Sequence, residues 1–427
     1  MPASDGVLAP EPGASLGQWL TYLESIHPVE MELGLDRVLI VLRRLMPGRP
    51  QARVITVGGT NGKGSTVAAL EALLLASGAT VGSYTSPHLF VYNERVRING
   101  HNASDEALVR AFEQVEAARR DVSLTYFEFG TLAAFLVMAE AGVDNMVLEV
   151  GLGGRLDAVN VLDADLAIIT SVDLDHTAWL GDDRDAIGFE KAGILRPGQT
   201  AVYADLDPPP SVLQQASAQR VQLLRPGKGY VISREGDRVM VQTDSGHQLP
   251  LPADRLPVNS LAAAAVAANE LELALSDPQI GEVLAAVSLP GRFEQVARRP
   301  DVFLDVGHNP HAAHWLSRRL RTLRDTGRYS RVFAVYGGLS DKDSAGVARA
   351  LAPTVDQWFI GGLEVTRGLS AEALLERVQT VIPKDRLTTC ATVSGAIERA
   401  LDSAGDDGLV LIFGSFYTVA EGRRFFS

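Results

Sequence analysis

The 427-residue sequence predicts an α/β protein: a larger N-terminal domain on a mostly parallel sheet, followed by a smaller, Rossmann-like C-terminal α/β domain. Three observations carry this. From Arg53 onward, short β-rich runs alternate with amphipathic helical stretches, the pattern of parallel strands joined by covering helices. A glycine-rich turn spanning residues 58–64 links one such run to a helix-compatible Ala/Leu/Glu stretch. The turn cluster Leu289-Pro290-Gly291-Arg292 then separates this alternation from a fresh one, so the domains are expected at 1–291 and 292–427.

In the first domain the expected strands are residues 53–57, 80–84, 145–150, 165–170 and 200–203. Residues 229–251 alternate as Tyr230-Val231-Ile232-Ser233 and Arg238-Val239-Met240-Val241 around Glu235-Gly236-Asp237, a hairpin appended at the periphery of that sheet. The apolar stretch 256–275 is Ala-rich and carries Asn259, Asn269, Glu270 and Glu272, which fits a packed helix and not a membrane span. In the second domain, strands are expected at 302–305, 331–336, 357–360 and 409–413, and helices near 312–323, 371–378 and 393–401.

The hydrophobic content of 46% is enough for substantial cores. A formal charge of -13 excludes a broad electrostatic grip on nucleic acid, so an anionic substrate must be captured by local cations. The single cysteine, Cys390, excludes an intrachain disulfide and a multi-cysteine zinc site. The first residues, with Asp5, Pro10, Glu11 and Pro12, lack the layout of a secretory signal, and the cytoplasm is the expected compartment, with no membrane partner.

The strongest local signal is Val54-Ile55-Thr56-Val57-Gly58-Gly59-Thr60-Asn61-Gly62-Lys63-Gly64-Ser65-Thr66. Glycines let backbone N–H groups approach phosphate oxygens, a helix N-terminus favours their charge, and Lys63 can reach the outer phosphates of a nucleotide. The P-loop pattern is modified. Val57 stands where the first glycine belongs, and Gly64, not Ser or Thr, follows the lysine. Glu149 ends an apolar run beside Gly151, where a carboxylate faces the crevice at the C-terminal ends of parallel strands.

The loop Gly59-Thr60-Asn61-Gly62-Lys63-Gly64-Ser65 resembles that of the Mur ligase superfamily, and the glycine after the lysine is typical of its folate branch, the dihydrofolate synthase/folylpolyglutamate synthase family. Further matching blocks follow in order: Thr85-Ser86-Pro87-His88-Leu89, Asn93-Glu94-Arg95, Leu124-Thr125-Tyr126-Phe127-Glu128-Phe129 and Leu148-Glu149-Val150-Gly151-Leu152-Gly153-Gly154-Arg155-Leu156-Asp157. Leu174-Asp175-His176-Thr177, Glu190-Lys191-Ala192-Gly193, Pro290-Gly291-Arg292-Phe293, Asp305-Val306-Gly307-His308-Asn309-Pro310 and Gly414-Ser415-Phe416 complete a series covering nearly the whole chain.

The resemblance implies a P-loop ATPase domain and an ADP-forming amide ligase that joins L-glutamate to dihydropteroate and adds further glutamates to reduced folates. Activation of a carboxylate as an acyl phosphate gives the incoming amine a leaving group to displace. Lys63, Lys191 and His176 form the implied catalytic set. Thr60, Asn61, Gly62, Lys63, Gly64 and Ser65 match ATP-contacting positions, as do Asn259, Arg292 and Asp305. Ser86, Glu149 and His176 match magnesium-linked positions, and Lys191 the position of an N6-carboxylysine. Glu32, Leu33, Gly34 and Leu35, then Thr125, Tyr126, Phe127 and Glu128, then Leu156, Asp157 and Ala158 match pteroate-binding segments; Ser415 falls in the glutamate region. Two Mg2+ ions, ATP as co-substrate, K+ as a further ion and a monomeric state complete the expectation.

Three alternatives stay open: a synthase restricted to polyglutamylation, another Mur-type amino-acid ligase, and a nucleotide-dependent switch. Gly64 and the Thr85-Ser86-Pro87-His88-Leu89 block disfavour the second, and the chain shows no Asn-Lys-x-Asp base-reading motif of the GTPase kind.

Overall fold

The computed structural model describes residues 8–27, 29, 32–236, 238–253 and 256–427. Asp5 and Asp237, used above, lie outside the described residues. The chain forms two compact units, one running to Ala253 and resuming at Val258–Val287, the other built mainly of Ser288–Ser427. Among the described residues no helix is long and apolar enough to cross a membrane.

The first unit begins with α1 (Leu16–Leu23) and α2 (Asp36–Leu45), then β1 (Arg53–Gly58), α3 (Lys63–Ala76) and β2 (Val81–Tyr84). Short β3 (Val96–Ile98) and β4 (His101–Asn102) lead to α4 (Asp105–Arg119) and α5 (Tyr126–Glu140). Next come β5 (Asn145–Glu149), β6 (Leu166–Ile169), α6 (Thr177–Leu180), α7 (Arg184–Ala192), β7 (Thr200–Tyr203) and α8 (Pro210–Ala218). The unit closes with β8 (Gln222–Pro226), β9 (Gly229–Glu235), β10 (Arg238–Thr243), β11 (Gln248–Leu251), α9 (Val258–Glu270) and α10 (Asp277–Ala286).

The strands form one sheet in the order β11-β10-β9-β8-β7-β6-β1-β5-β2-β3-β4. Pairing is parallel from β2 through β5, β1, β6 and β7 to β8, while β3–β4 and β9–β11 are antiparallel ribbons at the two edges. The expected hairpin is thus the peripheral ribbon β9–β11. After β1 the chain goes out to β2, returns to β5 beside β1, and then continues on the other side of β1 through β6 and β7, which makes the crevice beyond β1 a topological switch point.

One sheet face, which includes Val54, Met146 and Leu148, is covered by α1, α4 and α5 through Trp19, Phe112, Phe129 and Phe135. Each of these rings is nearly or fully buried, and removing one such as Phe129→Ala costs about 3 to 5 kcal/mol. Helix α5 starts in a capping box, Thr125 with Glu128 at its third position, which satisfies two N–H groups that a helix end leaves orphaned. The Ala-rich stretch forms α9, whose residues 260–268 are all buried against α3. Small side chains let the two helices approach closely, and a helix packed on all sides has no amphipathic stripe.

The second unit has β12 (Glu294–Ala297), β13 (Asp301–Asp305), α11 (Pro310–Asp325), β14 (Arg331–Tyr336), α12 (Ser344–Leu351) and β15 (Gln357–Gly361). It continues with α13 (Ala371–Val378), β16 (Leu387–Cys390), α14 (Val393–Ala404), β17 (Gly408–Phe413) and α15 (Phe416–Phe425). Its sheet runs β12-β13-β17-β14-β15-β16, parallel except for the antiparallel edge strand β12.

Candidate functional site

β1 carries the glycine loop from the centre of the sheet to the N-terminus of α3, and the end of β6 grips it. Gly59, at φ +141°, passes so close to Thr170 that a side-chain carbon would collide with the threonine Oγ1. The Thr60 N–H donates to the Ser171 carbonyl at 2.8 Å, and the Thr60 hydroxyl donates to the Asp173 carbonyl at 3.1 Å. The Asn61 N–H donates to Ser171 Oγ at 3.1 Å. Gly62 caps α3 at φ +91°, and a Cβ there would stand 2.5 Å from Ser260 Oγ. Only glycine combines this left-handed backbone with this proximity.

Lys63 opens α3 and folds back over its loop, donating from Nζ to the carbonyls of Gly59 at 3.0 Å and Thr60 at 3.2 Å. Gly64 and Ser65 complete the first turn, whose leading N–H groups lack intrahelical acceptors. The Ser65 hydroxyl is buried with no hydrogen-bond partner among the described residues, so a hydroxyl that can serve phosphate or cation stands ready one position later than in the general P-loop.

Glu149 ends β5 directly beside Val57 of β1, is 4% exposed, and accepts the Ser86 N–H at 3.2 Å. Ser86 lies just past β2, the strand next to β5. His176 follows β6 on the other side of β1, in a left-handed conformation (φ +52°) at the start of α6. The three expected metal residues therefore come from the C-terminal ends of strands on both sides of β1. Among the described residues, no three His, Cys, Asp or Glu side chains form a ready metal cage. A buried carboxylate and an orphaned hydroxyl still suit Mg2+, which takes one or two protein oxygens and fills the rest with water and phosphate.

Lys191 projects from α7 and is 4% exposed. Burial, reinforced by Lys63, pushes its ammonium down to about 7, against the attraction of Asp175 and Asp157. Asp157 is buried too. Burial raises its carboxyl to about 6 although it accepts N–H groups from Leu152 at 2.9 Å and Val159 at 3.0 Å. These shifts place Lys63, Asp157 and Asp175 within electrostatic reach of Lys191, and Lys63 within reach of Asp157.

Asp157 also faces Phe127. A Cβ added to Gly151 would lie 2.7 Å from Phe127 Cζ and 3.2 Å from Asp157 Oδ2, so ring edge and carboxylate meet over that glycine. Leu156 lends its carbonyl to the Gly34 N–H at 3.3 Å, which ties the 33–35 segment, with Leu33 and Leu35, to Leu156, Asp157 and Ala158. Other expected substrate groups are engaged internally. Glu128 accepts the Thr125 N–H at 2.8 Å and an Arg37 N–H at 2.9 Å, while Arg37 also pairs with Glu32. The Tyr126 ring lies under the Arg95 guanidinium, 5.5 Å from centroid to carbon.

Asn259 sits at the start of α9 and donates to Asp205 Oδ1 at 3.4 Å. Arg292, Asp305 and Ser415 belong to the second unit. Asp305 ends β13 and accepts the N–H groups of Phe293 at 2.9 Å and Gly307 at 2.7 Å; burial raises its carboxyl, opposed by Arg292. Arg292 stacks 5.3 Å over Phe416. Ser415, past the adjacent strand β17, is buried and caps α15, with its hydroxyl 2.8 Å from that of Thr418.

Sequence reasoning missed the residues that shape the loop: Thr170, Ser171, Asp173 and Ser260. The first two were visible as a polar pair directly after an apolar run; Ser260 carries no local signal.

Comparisons with known proteins agree along the chain. Residues 57–267 match the Mur ligase middle domain, and residues 291–416 match the Mur ligase glutamate ligase domain. The chain is 43% identical over 413 residues to the dihydrofolate synthase/folylpolyglutamate synthase of Escherichia coli K12, covering 96% of this chain and 95% of that protein. The solved structure of E. coli FolC in complex with DHPP and ADP superposes with a TM-score of 0.92 at 41% identity, covering 97% of this chain and 98% of that one. A bifunctional folylpolyglutamate synthase/dihydrofolate synthase with Mn, AMPPNP and L-glutamate bound gives a TM-score of 0.88 at 44% identity, with coverage of 97% and 98%.

Proposed function

Since the chain belongs to the dihydrofolate synthase/folylpolyglutamate synthase family of ATP-dependent glutamate ligases, we propose that its own site joins L-glutamate first to dihydropteroate and then to reduced folates. The observation that carries this reading is the grouping of Lys63, Glu149, Asp157 and Lys191 beyond β1 and β5, with Phe127 facing Asp157.

ATP lies with its phosphates on Thr60, Asn61, Gly62, Lys63, Gly64 and Ser65, and Lys63 exchanges its loop carbonyls for phosphate oxygens. Asn259, Arg292 and Asp305 bind the remainder of the nucleotide. Ser86, Glu149 and His176 would hold two magnesium ions, with K+ as an additional ion, and such ions would supply positive charge to offset what develops on the transferred phosphoryl group. Lys191, whose ammonium is lowered to about 7, has a share of free amine near neutral pH that can add through its nitrogen to carbon dioxide with loss of a proton, and the carbamate would supply a further anionic oxygen ligand.

The acceptor's flat ring rests on Phe127 with Asp157 against its nitrogens, and Glu32, Leu33, Gly34, Leu35, Tyr126, Leu156 and Ala158 frame it, with Thr125 and Glu128 holding the start of α5 in place behind them. Phosphoryl transfer makes its carboxylate an acyl phosphate, and the glutamate amine displaces phosphate. Ser415 helps to receive glutamate, so residues 1–291 supply the phosphate loop and the acceptor site, while residues 292–427 add Arg292 and Asp305 toward ATP and Ser415 toward the amino acid. The protein works as a monomer in the cytoplasm.

The test is glutamate-dependent ADP release with magnesium, using dihydropteroate and tetrahydrofolate separately, with mass spectrometry of each product. Glutamate adducts on both support the bifunctional reading. An adduct on tetrahydrofolate alone reduces it to polyglutamylation, and release without any acceptor points to a nucleotide switch.

A further inference from the structure

His88 stands in the loop after β2, two residues beyond Ser86, whose N–H meets the Glu149 carboxylate. The far side of this loop is pinned by one carboxylate: Glu94 accepts the N–H groups of Leu89 at 2.6 Å, Phe90 at 2.8 Å and Val91 at 3.0 Å. The His88 ring is held by Arg95, whose Nε–H donates to Nδ1 at 2.9 Å, and its centroid lies 6.0 Å from that of Tyr92. Arg95 is itself fixed by stacking 5.4 Å over Tyr92 and 5.5 Å over Tyr126.

This contact decides the tautomer. A guanidinium is protonated at any accessible pH and has no acceptor, so Nδ1 must offer its lone pair to Arg95. The ring's one proton is then on Nε2. With its lone pair engaged by Arg95, the imidazole is a donor and not a base.

The half-buried ring lies in the loop that starts after β2, where Ser86 meets Glu149, and returns to Arg95 over Tyr126, the first residue of α5, next to Phe127 in sequence. In the ligase reading the acceptor's ring system is at Phe127 and its reacting carboxylate near Glu149, and the two ends of this loop touch Glu149 and Tyr126, the neighbour of Phe127. We propose that His88 binds substrate directly, donating from Nε2–H to the carboxylate end of the acceptor acid. The assignment rests on the ligase reading of the site given above.

Two near-isosteres separate this from a purely supporting role. Asparagine sets an amide oxygen where Nδ1 lies, which keeps Arg95 anchored but removes the donor at the ring tip. Glutamine sets an amide N–H near Nε2, which keeps the donor but not the anchor. Losing one hydrogen bond to a carboxylate should raise the KM for dihydropteroate about 10-fold in His88→Asn, with the KM for ATP unchanged, while His88→Gln recovers most of the affinity. The reverse ranking, with His88→Asn normal and His88→Gln impaired, makes His88 a support for Arg95 and overturns the proposal. Equal KM values in both variants and the parent also overturn it. If the unsubstituted enzyme itself shows no glutamate-dependent ADP release, the ligase reading falls and takes this assignment with it.

Discussion

Glu128 and Lys191 are buried to almost the same degree, 3% and 4% exposed, yet their surroundings differ completely. Glu128 is answered group by group: its carboxylate caps the backbone of Thr125 and meets the guanidinium of Arg37. Lys191 has Lys63 as the strongest charge acting on it, and burial leaves its ammonium near 7. Depth alone therefore does not separate structural from chemical charges. A buried charge whose partners satisfy it holds the fold, whereas one kept on the edge of neutrality marks a place where chemistry is intended.

The largest effect that sharpens this contrast is expected for Lys63→Ala. Losing the cation over the glycine loop should lower kcat by about 10³-fold, read as ADP release, with an unchanged circular dichroism spectrum. Normal turnover removes Lys63 from phosphoryl transfer.

Lys191→Ala should follow, with about a 10²-fold loss partly restored by short-chain carboxylic acids that replace the carbamate. The contrast breaks if this variant is fully active. Lys191 also predicts a pH dependence. Its folded value, about 7, lies below the ordinary 10.5, so the stability linked to it is complete above 10.5 and is lost as pH falls through 7. In carbon-dioxide-free buffer Lys191→Met should gain on the parent from pH 10 down to about pH 7 and hold that margin below, measured by urea unfolding.

Glu128→Gln tests the other half. The amide retains the capping geometry but leaves Arg37 short of a charge, so about 2 kcal/mol of stability should go while the KM for dihydropteroate stays near that of the parent. A raised KM without lost stability assigns Glu128 to the substrate instead.

Per pH unit, the smallest effect belongs to Asp157→Asn. Burial lifts this carboxyl from 3.8 to about 6, so its contribution is present below 3.8 and is lost as pH rises through 6. The amide should flatten the stability slope over that window by about 1 kcal/mol per pH unit, measured by denaturant titration. An unchanged slope means that Asp157 titrates as an ordinary carboxylate.

The same two residues show what sequence can and cannot reveal. β1, β5, β6 and β7 were legible because each is a short apolar run, and the loop was legible because glycines and a lysine must follow one another directly to cradle phosphate. β3 and β4, with three and two residues, are too short to establish a period, and they exist because β2 offers an edge to β3 and β3 one to β4. The pairing of Arg37 with Glu128 joins positions 91 apart and leaves no local trace. The grouping of Lys191 with Lys63 likewise arises only when α7 packs beside the sheet. Thr125 and Glu128 matched a pteroate-binding segment by resemblance, and the capping box they form at the start of α5 emerged only in the folded chain.

The contact between Ser260 and Gly62 bears on how the protein is made. The hydroxyl over the glycine loop comes from a helix synthesised 198 positions later. During translation β1, the loop and α3 emerge early, but the side of the loop toward α9 stays uncovered until α9 has left the ribosome. Nascent chains that stop before Val258 should thus expose the α3 surface and hold nucleotide poorly, and competence should arrive abruptly once the alanine-rich helix docks.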